Sequence, residues 1–262
     1  MENTSFTIVQ LNVEYKNKHN NINAVKNILA ESAEIGDITL LPEMFSTGYI
    51  FDSAEEIHSL SEDFNNSVTI NQLTQMAKTY ETMFVAGIAE KDGSQYYNSV
   101  AVVDENGLRY KYRKISQNRI DKQYFSRGEN ILIFEHKGLK MGIAICFDIW
   151  FPELMRKYND VDVILHPSNF GGHHSFAIAQ ARALESGQHI LTCNRVGQDI
   201  TKEFTATYCG ESRVYNPKGE EVMRLNDTQS SQTIMISDLS LAPQYNGIKL
   251  PEEINEICRI LT

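Results

Sequence analysis

Apolar and polar residues alternate along 6–13, the two-residue period of a strand with one buried face. The spacing then changes. Over 20–33, Ile22, Val25, Ile28 and Leu29 fall on one side of a helix. Residues 38–41 form a short apolar strand of the kind covered on both faces. The acidic stretch 52–64 reads as surface, and Val68–Tyr80 as a helix on Ile70, Leu73, Met76 and Ala77. Three strands follow over 83–89, 98–103 and 109–112, divided by turns at Asp92-Gly93 and Glu105-Asn106-Gly107. Residues 116–127 have no period and predict a loop across the mouth of a sheet. A hairpin is expected from 131–134 and 140–145 about Lys137-Gly138, then a helix over 152–158 and a strand over 163–165. The helix over 175–186 carries Phe176, Ile178, Ala179, Ala183 and Leu184 on its apolar face. A strand over 190–192, a hairpin of 212–215 with 222–225, and a strand over 232–236 complete the sheet pattern. A polar-rich tail with a helical stretch over 251–261 ends it.

Strands and helices mixed throughout predict an α/β (or α+β) fold with two sheets. At 262 residues and 42% hydrophobic content the chain is most simply one domain, 1–262, with a core over about 6–238 and a tail over 239–262. A net charge of −10 argues against nucleic acid and anionic membranes as partners, since both call for basic surface. No apolar run is long enough to span a bilayer, and Met1-Glu2-Asn3 does not open a secretory signal. The four cysteines are scattered and form no CxxC pair, which fits reduced thiols in a cytoplasmic protein.

The chemistry gathers where strands end. Residues 141–145 are apolar, Cys146 follows at once, and Pro152 marks a helix start just beyond. A cysteine there faces the crevice in which open α/β sheets place ligands, with backbone N–H groups beside it to meet developing negative charge. Cys146 is thus a candidate nucleophile; the alternative is a small buried hydrophobe. Glu43 stands just past strand 38–41 among Pro42, Met44 and Phe45, where partial desolvation would raise its pKa into general-base range. The alternative there is an exposed loop carboxylate. Lys114 leaves the strand over 109–112, or else belongs to a solvated cluster with Lys111 and Arg113.

Glu43, Lys114 and Cys146, in that order, make the chain resemble the nitrilase, or carbon–nitrogen hydrolase, superfamily. The matching pieces are LPEMFSTGY, YRKI and ICFDIWFPE, followed by HPSNF, ARALES, CNRVG and GESRVYNPKG. Together they run from about Phe6 to Asp238, and the ordered set is far more specific than any one piece. The resemblance implies a four-layer αββα sandwich, commonly paired across a helical face, so a homodimer or higher homo-oligomer is expected. Within the superfamily the chain is similar to the small single-domain amidases, a group that includes omega-amidases and N-carbamoyl amine hydrolases.

The resemblance implies a cysteine-dependent amidohydrolase that opens a C–N bond of a small linear amide or carbamoyl compound. Cys146 would attack, Glu43 would move protons, and Lys114 with the Phe147 N–H would hold the oxyanion. The family's second glutamate, seven residues before a glycine, corresponds to Asp121 counted back from Gly128, and Ser116 stands where a histidine is common. Trp150, Phe170, His173 and Arg195 are candidate substrate contacts. No cofactor or metal is expected: His166, His173 and His174 cluster without the usual ligand spacing. A non-catalytic ligand-binding or scaffold relative is the alternative from another class, and a nitrilase acting on a nitrile is the enzymatic one.

Overall fold

The computed structural model describes residues 3–236, 244–245 and 247–261. Two six-stranded sheets pack face to face, and each is covered on its outer side by helices. The first contains β1 (Thr4–Gln10), β2 (Ile38–Leu40), β3 (Met83–Asp92), β4 (Gln95–Asp104) and β5 (Gly107–Arg113). The second contains β6 (Ile133–His136), β7 (Leu139–Ile143), β8 (Val163–Pro167) and β9 (His189–Cys193). A hairpin of β10 (Val196–Ile200) and β11 (Thr205–Cys209) stands apart from both. Strands β12 (Arg213–Tyr215) and β13 (Glu221–Arg224) extend the second sheet, and β14 (Ser230–Ile236) closes the edge of the first.

Strand alternation divides the side chains between layers. Phe6, Ile8, Leu40, Val85 and Val100 of the first sheet meet Met141, Ile143, Val163, Leu165 and Leu191 of the second. The opposite face of the first sheet, with Val9, Phe84, Ala86 and Ala101, packs on helices α1 (Lys18–Glu31) and, past the short α2 (Ala54–Leu60), α3 (Val68–Tyr80). After α4 (Asp121–Tyr124) come α5 (Pro152–Met155) and α6 (His174–Ser186), which cover Ile164 and Ile190 with Met155, Ala179 and Ala183. Each Val, Leu, Ile, Phe or Met side chain taken out of water here contributes about 1.5–3 kcal/mol. This is the expected αββα order. A last helix, α7 (Leu250–Leu261), occupies the tail. Residues 237–243, where the expected core ends and the tail begins, lie outside the described residues.

The strands that matter for function are parallel neighbours. β1 pairs in parallel with β2 and β2 with β3, while β7 pairs in parallel with β8 and β8 with β9. Their C-terminal ends, and the loops they feed, therefore gather at one rim of each sheet.

Three readings of the sequence change. The acidic stretch 52–64 is not all surface: α2 lies within it, Ile57 and Phe64 are buried, and so is Glu62. Glu62 tolerates burial because it accepts from the Ser67 hydroxyl and the Thr69 N–H and pairs with Lys18 at 2.9 Å. The 116–127 loop contains α4, and the β10–β11 hairpin forms from polar segments that carry no clear strand pattern.

Candidate active site

Glu43 lies three residues past β2, Lys114 directly follows β5, and Cys146 lies three residues past β7. All three are buried, at 0%, 3% and 8% exposure. Close backbone approach makes room for the first: Gly87 of β3 receives the Phe45 N–H and donates to the Pro42 carbonyl. A methyl group on Gly87 would stand 2.5 Å from the Glu43 Cα, so no other residue fits without moving the glutamate.

The Lys114 ammonium donates to Glu43 Oε1 at 2.9 Å and to Asp121 Oδ2 at 2.8 Å. Asp121 thus reaches the lysine directly, because the start of α4 brings the shorter carboxylate in. Asn98 ties the pair from the other side, donating through Nδ2 to Glu43 Oε1 at 2.7 Å and to Asp121 Oδ1 at 3.2 Å. Burial opposes the charge on Lys114, but Asp121 and then Glu43 outweigh it and hold the ammonium well above its ordinary pKa. Burial pushes the Glu43 carboxyl up, Asp121 adds to this, and Lys114 opposes it. The second oxygen, Glu43 Oε2, is buried with no hydrogen-bond partner in the protein. A charged carboxylate with one oxygen uncommitted is placed to take a proton.

Cys146 sits at φ +46°, in the left-handed region that non-glycine residues seldom adopt. Such backbone strain is of order 1–3 kcal/mol and persists only where neighbours over-determine it. Here they do. Asp148, fully buried, accepts the Ile145 N–H at 2.9 Å and the Tyr112 hydroxyl at 2.8 Å on one oxygen. Its other oxygen accepts the Ser116 N–H at 2.8 Å, so one carboxylate ties the cysteine turn to the segment that carries Lys114. The Cys146 carbonyl accepts from His166 Nε2 at 3.0 Å. A carbonyl can only accept, so Nε2 carries the proton and Nδ1 accepts from the Thr192 hydroxyl at 3.0 Å. Burial pushes the Cys146 thiol well up, and the charge of Glu43 adds to this, against the opposing pull of Lys114 and the Asn169 backbone N–H. The resting group is a neutral thiol.

His166 predicts a stability effect. Burial lowers its pKa to about 4, so the folded imidazole refuses a proton that the unfolded one accepts below about 6.5. Stability therefore falls as pH drops from 6.5 towards 4, by about 3 kcal/mol from this group. His166→Gln, which keeps an amide donor, should flatten this part of the pH dependence in urea titrations. An unchanged slope would mean the ring is protonated in the fold.

The four candidate substrate contacts fare differently. Arg195 is wholly buried, paired with Asp199 at 3.0 Å, donates to the Val13 carbonyl and lies against the Tyr208 ring. Asp199 in turn accepts the Tyr49 and Ile50 N–H groups, so this ion pair shapes the segment after Glu43. His173 projects into solvent beside Glu211 at 3.2 Å. Trp150 is at the surface, its indole donating to the Ser175 hydroxyl. Phe170 is buried between the His166 and Phe176 rings. None of the four has a hydrogen bond, ion pair or ring contact with Glu43, Lys114 or Cys146 among the described residues. Phe147 follows Cys146 in its turn, half-buried against Trp150 and Phe151. A cleft of about 630 Å³, walled by Ile50, Phe51, Ile120 and Tyr124, contains none of the three site residues.

Asn98, Asp148, His166 and Asn169 were not assigned to the site from sequence. Asp148 had a faint signal, as a lone polar residue within the apolar run 146–151. Among the described residues no three His, Cys, Asp or Glu are grouped to hold a metal ion. No helix among them is long and apolar enough to cross a membrane.

Two αβ halves back to back, with a carboxylate, an ammonium and a cysteine at their strand ends, define a recognisable class. The sequence profile of the carbon-nitrogen hydrolase family matches residues 6–244, and the chain belongs to that family. It is 32% identical over 237 residues to a protein of Pyrococcus abyssi named nitrilase, covering 89% of each chain. It is 29% identical over 211 residues to omega-amidase YafV of Escherichia coli, covering 79% of this chain and 78% of that one. Its fold matches XC1258 of Xanthomonas campestris, described as a CN-hydrolase superfamily protein with an arsenic adduct in the active site. That match has a TM-score of 0.81 at 22% identity, over 92% of this chain and 93% of the other. The protein is a carbon–nitrogen hydrolase.

Proposed function

We propose that the protein is a cysteine-dependent amidohydrolase that cleaves a small linear amide or carbamoyl compound through a thioester on Cys146. The observation that carries this reading is the Glu43–Lys114–Asp121 group, a buried ammonium between two carboxylates with Glu43 Oε2 left uncommitted and its charge felt at the Cys146 thiol. Because the thiol rests neutral, its proton passes to Glu43 as sulfur bonds to the carbonyl carbon. The oxygen becomes anionic near Lys114 and the Phe147 N–H. Glu43 then returns the proton to the departing nitrogen, the C–N bond breaks and ammonia leaves. Water repeats the sequence: Glu43 takes its proton, oxygen bonds to carbon, the C–S bond breaks and the thiol is restored. Asp121 and Asn98 hold the lysine and glutamate in place.

Ammonia release across amides, ureido compounds and nitriles tests the reading. Turnover of nitriles alone would favour the activity in the name of the Pyrococcus relative; no turnover at all would favour a scaffold. The pH profile supplies a second check. Only the ionised carboxylate accepts a proton, and burial raises the Glu43 pKa, so activity should fall as pH drops through that raised value. The acid limb of kcat/KM is expected above the ordinary glutamate range of about 4.3. A limb below it would contradict Glu43 as the base.

A further inference from the structure

Asn169 lies two residues past β8 as Cys146 lies past the adjacent parallel strand β7. The two strand ends are tied where the Cys146 carbonyl accepts from Nε2 of His166 on β8 at 3.0 Å. Both flanks of Asn169 are pinned: the Ser168 N–H donates to the Cys193 carbonyl at 2.8 Å and the Phe170 N–H to Asn194 Oδ1 at 2.7 Å. The side chain is only 8% exposed, yet neither Oδ1 nor Nδ2 has a hydrogen-bond partner in the protein. Two other buried asparagines behave differently. Asn21 and Asn194 use both ends of their amides in bonds to the fold. Buried polar groups are nearly always satisfied, so an amide open at both ends, at the strand end next to that of the nucleophile, points to a ligand.

We propose that Asn169 is a specificity-determining residue that seats a neutral amide or ureido group on the acyl side of the scissile bond. This rests on the amidohydrolase reading above. The class follows from matching donors and acceptors. An amide or ureido group presents one acceptor for Nδ2 and one donor for Oδ1. An alkyl chain satisfies neither end, and an ammonium offers no acceptor. A carboxylate offers no donor to Oδ1, and it would enter a site where the carboxylates of Glu43 and Asp121 already flank the Lys114 ammonium. The acyl side is favoured because Asn169 follows the strand next to the one that leads to Cys146, whose sulfur takes the acyl carbon. The substrate is then a diamide or ureido-amide, not the monoamide of a dicarboxylic acid.

Four compounds of similar length test this: succinamide, ureidoacetamide, succinamate and butyramide. For the wild-type chain, kcat/KM for succinamide or ureidoacetamide should exceed that for succinamate and butyramide at least tenfold, and whichever of the two leads identifies the group preferred. Asn169→Leu should lower the leading value about ten- to hundredfold, chiefly through KM, and change butyramide less than threefold. Preference for succinamate, or an equal loss on all four compounds, would overturn the proposal. Asn169→Ala repeats the test if the leucine variant does not fold by circular dichroism. Binding separates this proposal from the reaction beneath it. In the Cys146→Ala background, an NMR titration with the two amides should show at least tenfold weaker binding once Asn169 is also replaced. Unchanged binding, or none before replacement, overturns the seat. Absent turnover with that binding loss intact would instead overturn the amidohydrolase reading.

Discussion

Cys146→Ala should remove ammonia release by about four orders of magnitude or more while leaving the fold in place. The size follows from the role, since removing a covalent nucleophile takes away the whole two-step path and leaves only the oxyanion site and binding. The fold should survive because the thiol side chain is small and donates no structural bond: the turn is held by Asp148 and by His166 on the Cys146 carbonyl. Alanine keeps that carbonyl and still has to adopt φ +46°, so no strain is added. A melting temperature within a few degrees of wild type, with activity at background, is the expected pair of readings. Activity within tenfold of wild type would remove Cys146 from the mechanism.

Lys114→Met should damage both stability and rate. The substitution keeps much of the side-chain length but leaves the carboxylates of Glu43 and Asp121 facing each other in a buried site, with only Asn98 Nδ2 between them. Removing one partner from a buried ion pair destabilises by about 3–5 kcal/mol. The variant relieves this by taking up a proton, which disables Glu43 as a base. Losing an oxyanion donor alone lowers kcat by about 10²–10³, so a fall of at least 10³ is expected. The remaining stability should rise as pH falls, because the folded carboxylate pair holds a proton that the unfolded chain releases. Near-normal turnover in Lys114→Met would return Lys114 to a purely structural place.

The strand-end residues were legible because a short apolar run that stops at a lone polar residue reports both burial and exposure to a crevice. Cys146 after 141–145 and Glu43 after 38–41 have that signature. Asp121 was legible only through spacing, and its direct reach to Lys114 depends on α4, which four residues of aperiodic sequence do not announce. Asp148 and His166 were harder. Their roles lie in partners up to 36 residues away on other strands, such as Tyr112, and no local pattern encodes those pairings. Arg195 is hard to place from sequence for a related reason. An arginine after a buried strand looks available for a substrate until its fold brings Asp199 and Tyr208 against it. The β10–β11 hairpin and α2 escaped notice because one is polar and the other is short and acidic, so tertiary contact rather than periodicity fixes them.

The thioester is the claim on which the rest depends. Wild-type protein quenched in acid during turnover of a slow amide, digested and examined by mass spectrometry, should carry the acyl group on the peptide containing Cys146. The mass gain should equal the substrate minus ammonia, and it should disappear on treatment with hydroxylamine. An unmodified Cys146 peptide under conditions where ammonia is still released, or the acyl group on any other residue, would contradict the account.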